Sequence, residues 1–375
     1  MFEKLTQLLD GFLEKDVPGY DCIVYHKGQE VFRRFGGYSS FESKTPTRGN
    51  EQYFLYSCSK PITATAGMIC LERELFHLED PVSKYMPEFS DMLVRDGDLL
   101  RPAKCAITVR DLFCMTAGFG YDAHSPMLEA CRKDLSHSAS TRDVMRYLAK
   151  EPLLFDPGER WEYSFCHDVL LALIQVVTGQ DFDDFLQENI CRPLGMTHTT
   201  FLLPEDREQI AQQYIFHPES RLFENCGKAI VDFSEFGPGY ESGGGGCIST
   251  VEDRIRFLEG LRSGERILKR QSVARMTANM LTPEQAKTYW MPGYGYGLGV
   301  KCSVGQPGCG DYGWGGMAGA LMSVDPVNEL SMFYVQHVLY AENNVGRYRI
   351  YPLILEELGL SGASESGEGK ANHYV

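Results

Sequence analysis

The sequence predicts a mixed α/β fold in which the two ends of the chain build one α/β unit and the middle inserts an all-helical one. Three observations carry this expectation. Short β-type runs occur near both ends, at residues 21–25, 30–35 and 330–337. Helical patterning dominates from about 105 to 200, and after about 235 the chain turns to glycine-punctuated apolar stretches. The expected units are 1–104 with 235–360 for the α/β part and 105–234 for the mainly helical part, with a cleft between them. Residues 361–375 are polar and rich in Gly and Ser, so a disordered tail is expected there.

Taken in order, Phe2, Leu5, Leu8, Leu9, Phe12 and Leu13 fall at helical spacing, and Pro18-Gly19 ends that helix. Strands at 21–25 and 30–35, joined across Lys27-Gly28-Gln29, read as a hairpin, followed by a polar loop over 36–50. Residues 60–74 favour a helix that stops before Asp80-Pro81. Thr108 caps a helix over 109–115 that ends at Ala117-Gly118. Further helices are expected over 141–150, 166–177 (stopped by Gly179) and 182–190. Loops are expected at 121–137 and 216–240, and a helix at 251–261. Glycine-punctuated runs at 295–300 and 313–324 precede 330–337, which alternates poorly and reads as a buried strand. A helix over 348–358 closes the fold, and no internal repeat is present.

The 375 residues allow one large domain or two to three smaller ones, and 43% hydrophobic with 23% charged residues is an ordinary globular balance. A net charge of −15 disfavours nucleic-acid and anionic-membrane partners and mildly disfavours strongly anionic substrates. The N-terminal residues lack the pattern of a secretion signal, and apolar runs such as 169–174 are too short for a bilayer. A soluble, cytoplasmic protein is expected. Twelve cysteines then read as reduced thiols, and with neither a CxxC pair nor an HExxH motif no metal or other cofactor is expected.

Ser57-Cys58-Ser59-Lys60 follows an apolar run and places a hydroxyl and an amine one helical turn apart. At a helix N-terminus such an amine can serve as base to the hydroxyl. The same spacing also fits an N-cap serine followed by a solvated lysine. In the stretch 157–165, Pro157-Gly158 turns the chain before a helix and could project Tyr163 into a cleft, where a phenol can share a proton with an ammonium group. Aromatic packing by Trp161 and Tyr163 at a helix entry is the alternative. In the stretch 310–319, glycines around Trp314 allow close backbone approach, and its N–H groups could complete an oxyanion hole with that of Ser57. The spacing Gly308-x-Gly310-x-x-Gly313 is rejected as a dinucleotide loop, because no helix follows. Cys58 reads as a small buried thiol, Ser59 as an ordinary helix residue, His167 as a polar first-turn residue and Asp80 as a turn residue.

Read together, these stretches resemble the serine β-lactamase and penicillin-binding-protein superfamily. The likeness is to the class C β-lactamase type and its esterase relatives, the family VIII carboxylesterases. It spans about residues 18 to 358. Besides Ser57-x-x-Lys60, it includes Leu78-Glu79-Asp80-Pro81, Ile107-Thr108-Val109-Arg110-Asp111-Leu112, and Pro157-Gly158 before Tyr163-Ser164. It continues with Arg192-Pro193-Leu194-Gly195-Met196 and with Gly244-Gly245-Gly246 before Ser249-Thr250. The resemblance implies an antiparallel sheet flanked by helices with an inserted helical domain. It also implies Ser57 as acylated nucleophile, Lys60 as its base partner and Tyr163 as proton relay. The motif that is Lys-Thr-Gly in β-lactamases aligns with Trp314-Gly315-Gly316, and the implied oxyanion donors are the N–H groups of Ser57 and Met317.

Two departures bear on substrate. Phe165 stands where β-lactamases carry an asparagine that meets the lysine and a substrate amide, and Trp314 replaces a cation that meets a carboxylate. Each lost charge-assisted contact is worth on the order of 1.5–3 kcal/mol. The expected activity is therefore hydrolysis of small-molecule esters with neutral or apolar acyl groups. The alternatives are a β-lactamase, D-aminopeptidase, amidase or DD-peptidase, an acyltransferase, or a non-catalytic binding protein of the same fold.

Overall fold

The computed structural model of the chain describes residues 1–136, 138–228, 234–304 and 310–360. The tail expected to be disordered, and Gly308 of the rejected glycine spacing, lie outside the described residues.

The runs read as strands at the two ends become neighbours in one eight-stranded sheet. Its order is Tyr294–Tyr296, Lys301–Ser303, Tyr312–Gly315, Leu321–Asp325, Leu330–Gln336, Gly19–His26, Gln29–Ser40 and Thr45–Pro46. Every pairing in it is antiparallel. The N-terminal hairpin docks on the last long strand in a register that sets Ile23 opposite Phe333 and Cys22 opposite Tyr334. Successive side chains point to opposite faces. Tyr20, Cys22, Val24, Met332 and Tyr334 pack with Leu5, Leu9, Ile350 and Ile354 of the two terminal helices, Glu3–Leu13 and Ile350–Leu358. Ile23, Phe333 and Val335 join the other cluster, with Ile255 and Leu258 of the Val251–Ser263 helix. Both faces of Leu330–Gln336 are thus covered, and all its residues are buried, which is why its sequence lacks polar alternation.

Side chains complete the helix ends as the sequence anticipates at Thr108. The Asp111 N–H donates to Thr108 Oγ1 at 3.3 Å, and the Thr108 N–H donates to Asp111 Oδ2 at 2.9 Å. At the N-terminal helix the Glu357 carboxylate accepts from the Lys4 and Leu5 N–H groups at 3.1 and 2.9 Å, tying the two ends of the chain together.

Several loops expected from composition carry regular structure. Segment 121–137 contains the helix Pro126–Leu135, with Pro126 in its first turn and Leu128, Cys131 and Arg132 buried; an arginine on the buried face hides its amphipathic pattern. His137 lies outside the described residues. Within 216–240 the strand Leu222–Gly227 pairs with Gln213–His217, which runs parallel to the distant Val338–Leu339. Residues 229–233 of that segment are outside the described ones. Strand Gln29–Ser40 continues into the expected polar loop and pairs with Thr45–Pro46. A hairpin of Leu93–Asp96 and Leu99–Pro102, absent from the sequence expectations, turns at Gly97 (φ 61°), and its turn signal is the pair Asp96-Gly97. Among the described residues, no helix is long and apolar enough to cross a membrane, and no His/Cys/Asp/Glu cluster could hold a metal ion.

Glu241 fastens the helical segments. Its carboxylate accepts from the Asp183 and Phe182 N–H groups at 2.7 and 3.2 Å and from Gln175 Nε2 at 2.7 Å. Burial, opposed by those N–H donors, pushes its carboxyl up to about 7. The folded state therefore holds this proton more tightly than the unfolded chain, whose usual value is 4.5. The resulting stabilisation is full below about pH 4.5 and is lost as pH rises through about 7. Urea unfolding at pH 5 and pH 8 is expected to show the native chain less stable at the higher pH, by up to roughly 3 kcal/mol from this group. Glu241→Gln is expected to remove that part of the difference.

Candidate active site

The nucleophile-type motif sits on a backbone turn held from three sides. Strand Tyr53–Phe54 pairs with Ile248–Ser249, and the Leu55 N–H donates to the Cys247 carbonyl at 2.9 Å. Tyr56 then takes a left-handed conformation (φ 47°), costly for an aromatic residue, and opens a single 3-10 turn, Tyr56–Ser59, that runs into the helix Lys60–Glu72. Tyr56 is held by its hydroxyl, which donates to Gln213 Oε1 at 2.6 Å, and by its carbonyl, which accepts from Ser59 Oγ at 2.5 Å. Ser59 Oγ also accepts from the Cys247 N–H at 2.9 Å, so Ser59 ties the turn to the glycine loop rather than being an ordinary helix residue. Cys58 is as expected: it is fully buried, burial pushes its thiol up to about 11, and it donates to the Trp314 carbonyl at 3.5 Å.

Ser57, Lys60 and Tyr163 come together. Lys60 has no exposed surface, which removes the solvated-lysine alternative. Its Nζ donates to the Gly244 carbonyl at 2.8 Å, to the Tyr121 hydroxyl at 3.3 Å and to Ser57 Oγ at 3.4 Å. It also lies 4.4 Å from the centre of the Tyr163 ring and 4.9 Å from that of Tyr121. The Tyr163 hydroxyl donates to Ser57 Oγ. A hydroxyl held by a phenol and an amine can pass its proton to whichever of the two is unprotonated as it becomes a nucleophile.

Tyr163 is placed by the segment before it. The N–H groups of Gly158, Glu162 and Phe165 donate to the carbonyls of Thr116, Met115 and Gly120 at 2.8, 3.0 and 3.2 Å. Thr288 Oγ1 accepts the Trp161 N–H at 3.0 Å and donates to the Trp161 carbonyl at 2.8 Å. Trp161 is buried as expected, but Tyr163 is not merely packing.

The strand Tyr312–Gly315 brings Trp314, Gly315, Gly316 and Met317 beside the turn. Trp314 stacks on Tyr163, with centroids 6.0 Å apart and planes at 14°, and is itself buried against Tyr296 at 5.3 Å. A Cβ at Gly316 would collide with the Leu55 carbonyl, so glycine is what lets this strand approach the Ser57 turn. Among the described residues, the N–H groups of Ser57 and Met317 donate no hydrogen bond to the protein. Phe165 stands a layer further back. It is buried, with its ring 4.8 Å from that of Tyr121.

Three participants are given no role by the sequence. Tyr121 supplies a hydroxyl to Lys60 from a segment with no motif. Gly244 supplies the carbonyl, and a Cβ there would stand 2.6 Å from Asp168 Oδ2 and 3.3 Å from Lys60 Nζ. Asp168 is fully buried; its Oδ1 accepts from the Tyr240 hydroxyl at 2.9 Å and from Ser242 Oγ at 2.7 Å. Burial holds its carboxyl above the usual range, although Ser242, Lys60 and Tyr240 pull it back. The run of glycines at 243–246 was the available signal for Gly244. His167 is indeed a first-turn residue, but a fully buried one; burial first and Lys60 second hold its imidazole well below the usual range, and so neutral.

A family model described as beta-lactamase matches residues 5–353. The chain belongs to the beta-lactamase family. Esterase EstB of Burkholderia gladioli is 29% identical over 355 residues, 87% of this chain and 88% of that protein. An acyltransferase, calJ, of Penicillium decumbens is 30% identical over 291 residues, 73% of this chain and 66% of that one. Among solved structures, EstCE1, described as a hydrolase with promiscuous acyltransferase activity, superposes with a TM-score of 0.79 at 24% identity, covering 93% of this chain and 96% of its own. That likeness shows the β-lactamase-type fold, as the sequence resemblance implies.

The crowding at Gly244 gives a test in this family member. Gly244→Ala is expected to displace Lys60 Nζ and to slow labelling of Ser57 by a fluorophosphonate on the order of 100-fold. Labelling at the unaltered rate would show that the close approach of Gly244 is not needed.

Proposed function

We propose that this protein is a serine hydrolase that cleaves small-molecule esters of neutral or apolar acyl groups through an acyl-Ser57 intermediate. The observation that carries the reading is the Ser57 hydroxyl in contact with both the Tyr163 phenol and the fully buried Lys60 amine. In acylation, Ser57 Oγ attacks the ester carbonyl while its proton passes to the Tyr163–Lys60 pair, one member of which is unprotonated at that step. The negative oxygen of the tetrahedral intermediate lies between the N–H groups of Ser57 and Met317. The carbon–oxygen bond to the alcohol then breaks, and the alcohol leaves with the proton held by the pair. Water repeats the attack on acyl-Ser57, losing a proton to the same pair, and returns Ser57 and the free acid.

The preference for uncharged groups rests on the site's lining. Around Tyr163 stand Trp161, Trp290 and Trp314, with ring centroids 6.3, 5.2 and 6.0 Å away, and Tyr121 at 5.0 Å. Such a wall favours an apolar acyl group and offers no cation to a carboxylate at the Trp314 position. Phe165 contributes through Tyr121, which it backs, and the missing Cβ of Gly316 lets the strand come up to the Leu55 carbonyl beside Ser57. Likeness to the calJ acyltransferase supports a second reading, in which an alcohol replaces water in the second half-reaction.

A panel of p-nitrophenyl esters, D-aminoacyl amides and nitrocefin tests the reading. Butyrate or longer neutral esters are expected to turn over best, with nitrocefin and the amides slower by at least about a hundredfold. Ser57→Ala is expected to lower kcat/KM for the ester by roughly a thousandfold or more. Normal turnover by that variant sinks the proposal. Ester product in place of free acid when an alcohol is added would favour the transferase reading.

A further inference from the structure

We infer that Arg347 is a positioning residue for the oxyanion site: its guanidinium fixes the Gly316–Met317 peptide and, through it, the Met317 N–H. The inference deepens the proposed reading and rests on Met317 as an oxyanion donor. In a trans peptide the carbonyl of one residue and the N–H of the next share a plane and point in opposite directions. Holding the Gly316 oxygen therefore aims the Met317 N–H the other way. Arg347 Nη1 donates to that oxygen at 2.8 Å, and the Gly319 N–H donates to it at 3.0 Å, so both of its lone pairs are engaged and the peptide plane is locked.

The next carbonyl is held from the same place. Asn344 Nδ2 donates to the Met317 oxygen at 3.2 Å. The Asn344 amide is in turn oriented by Gln336 Nε2, which donates to Asn344 Oδ1 at 3.1 Å, and Gln336 Oε1 accepts from the Tyr334 hydroxyl at 2.7 Å. Two successive carbonyls of the strand end are thus gripped by neighbouring side chains of one short segment, residues 344–347.

The chemistry of Arg347 points beyond packing. The side chain is buried, and its other hydrogen bonds are long ones, at 3.5 Å to Asn344 Oδ1 and to the Tyr348 hydroxyl. Its Nε has no partner among the described residues. Among the described residues no carboxylate pairs with it; removing a guanidinium from water without one is unfavourable, and a neutral side chain could fill the same space. A cation on the peptide oxygen polarises the peptide and makes its N–H a stronger donor to a developing negative charge. That benefit is largest in the tetrahedral state and small for the uncharged ester.

The test separates the two states. Arg347→Met and Arg347→Lys are assayed on p-nitrophenyl butyrate and for inhibition by phenylboronic acid, which forms a tetrahedral adduct on the serine. Arg347→Met is expected to lower kcat by about 10- to 100-fold and to weaken the boronic acid in parallel, with KM changed by less than about threefold. Arg347→Lys is expected to recover part of both losses. If Arg347→Met does not fold, Arg347→Lys alone decides: it keeps the charge but not the guanidinium fork, and a several-fold loss of kcat is expected. A kcat and boronic-acid affinity within twofold of the parent in the folded variants overturns the inference. So does a uniform rise in KM with kcat retained, which is what loosened packing would give. Ser57→Ala is measured alongside. If it is inactive while the Arg347 variants match the parent, this inference alone fails; if it still turns over, the reading of the site fails with it.

Discussion

Lys60 carries an amine with no exposure to water, and much of the surrounding structure is what such a group requires. A cationic or hydrogen-bonding nitrogen taken out of solvent needs acceptors at short range. The Gly244 carbonyl provides the shortest contact at 2.8 Å, and the Tyr121 and Ser57 oxygens complete the set. That demand explains why position 244 has no side chain, since a Cβ would press on both Lys60 and Asp168. It also explains the fixing of the glycine loop: Thr63 Oγ1 donates to the Gly243 carbonyl at 2.8 Å, and Ser242 is anchored on Asp168. The amine, the loop and the Ser57 turn are one hydrogen-bonded unit.

A second layer sets the shape of the space beside it. Tyr163, Trp161, Trp290, Trp314 and Tyr296 form a continuous aromatic contact set, and Trp290, at 41% exposed, is its most exposed member. Packing of this kind holds the Tyr163 ring in one orientation, so that its hydroxyl meets Ser57 before any substrate arrives. On the proposed function, the polar contact to Lys60 that an asparagine at 165 would have made comes instead from Tyr121, which Phe165 supports from behind. The substitution then changes what the pocket recognises without leaving the amine unsatisfied.

Ser57, Lys60 and Tyr163 were legible in the sequence because each lies in a stretch with its own local grammar: a helix start, a Pro-Gly turn before a helix, and an ordered series of such stretches around them. Tyr121 had none. It is a single tyrosine in a segment read as loop, and only the fold brings it to Lys60. Asp168 hid inside an apolar helix, where one acidic residue in the first turn looks like a dipole partner. In the fold, the long strand Leu330–Gln336 and the N-terminal hairpin were readable from their own residues. The pairing of Gln213–His217 with Val338–Leu339 was not, because two-residue strands carry no periodicity and the partners are far apart along the chain.

The central claim is that Ser57 forms a covalent bond to the acyl group, and rapid acid quench followed by peptide mass spectrometry tests it most directly. Protein mixed with p-nitrophenyl butyrate and quenched in the first turnovers is predicted to carry the mass of one butyryl group on the peptide containing Ser57, and to lose it as the ester is consumed. An ester hydrolysed at the full rate with no acyl group on that peptide, or with the acyl group on another residue, would contradict the account.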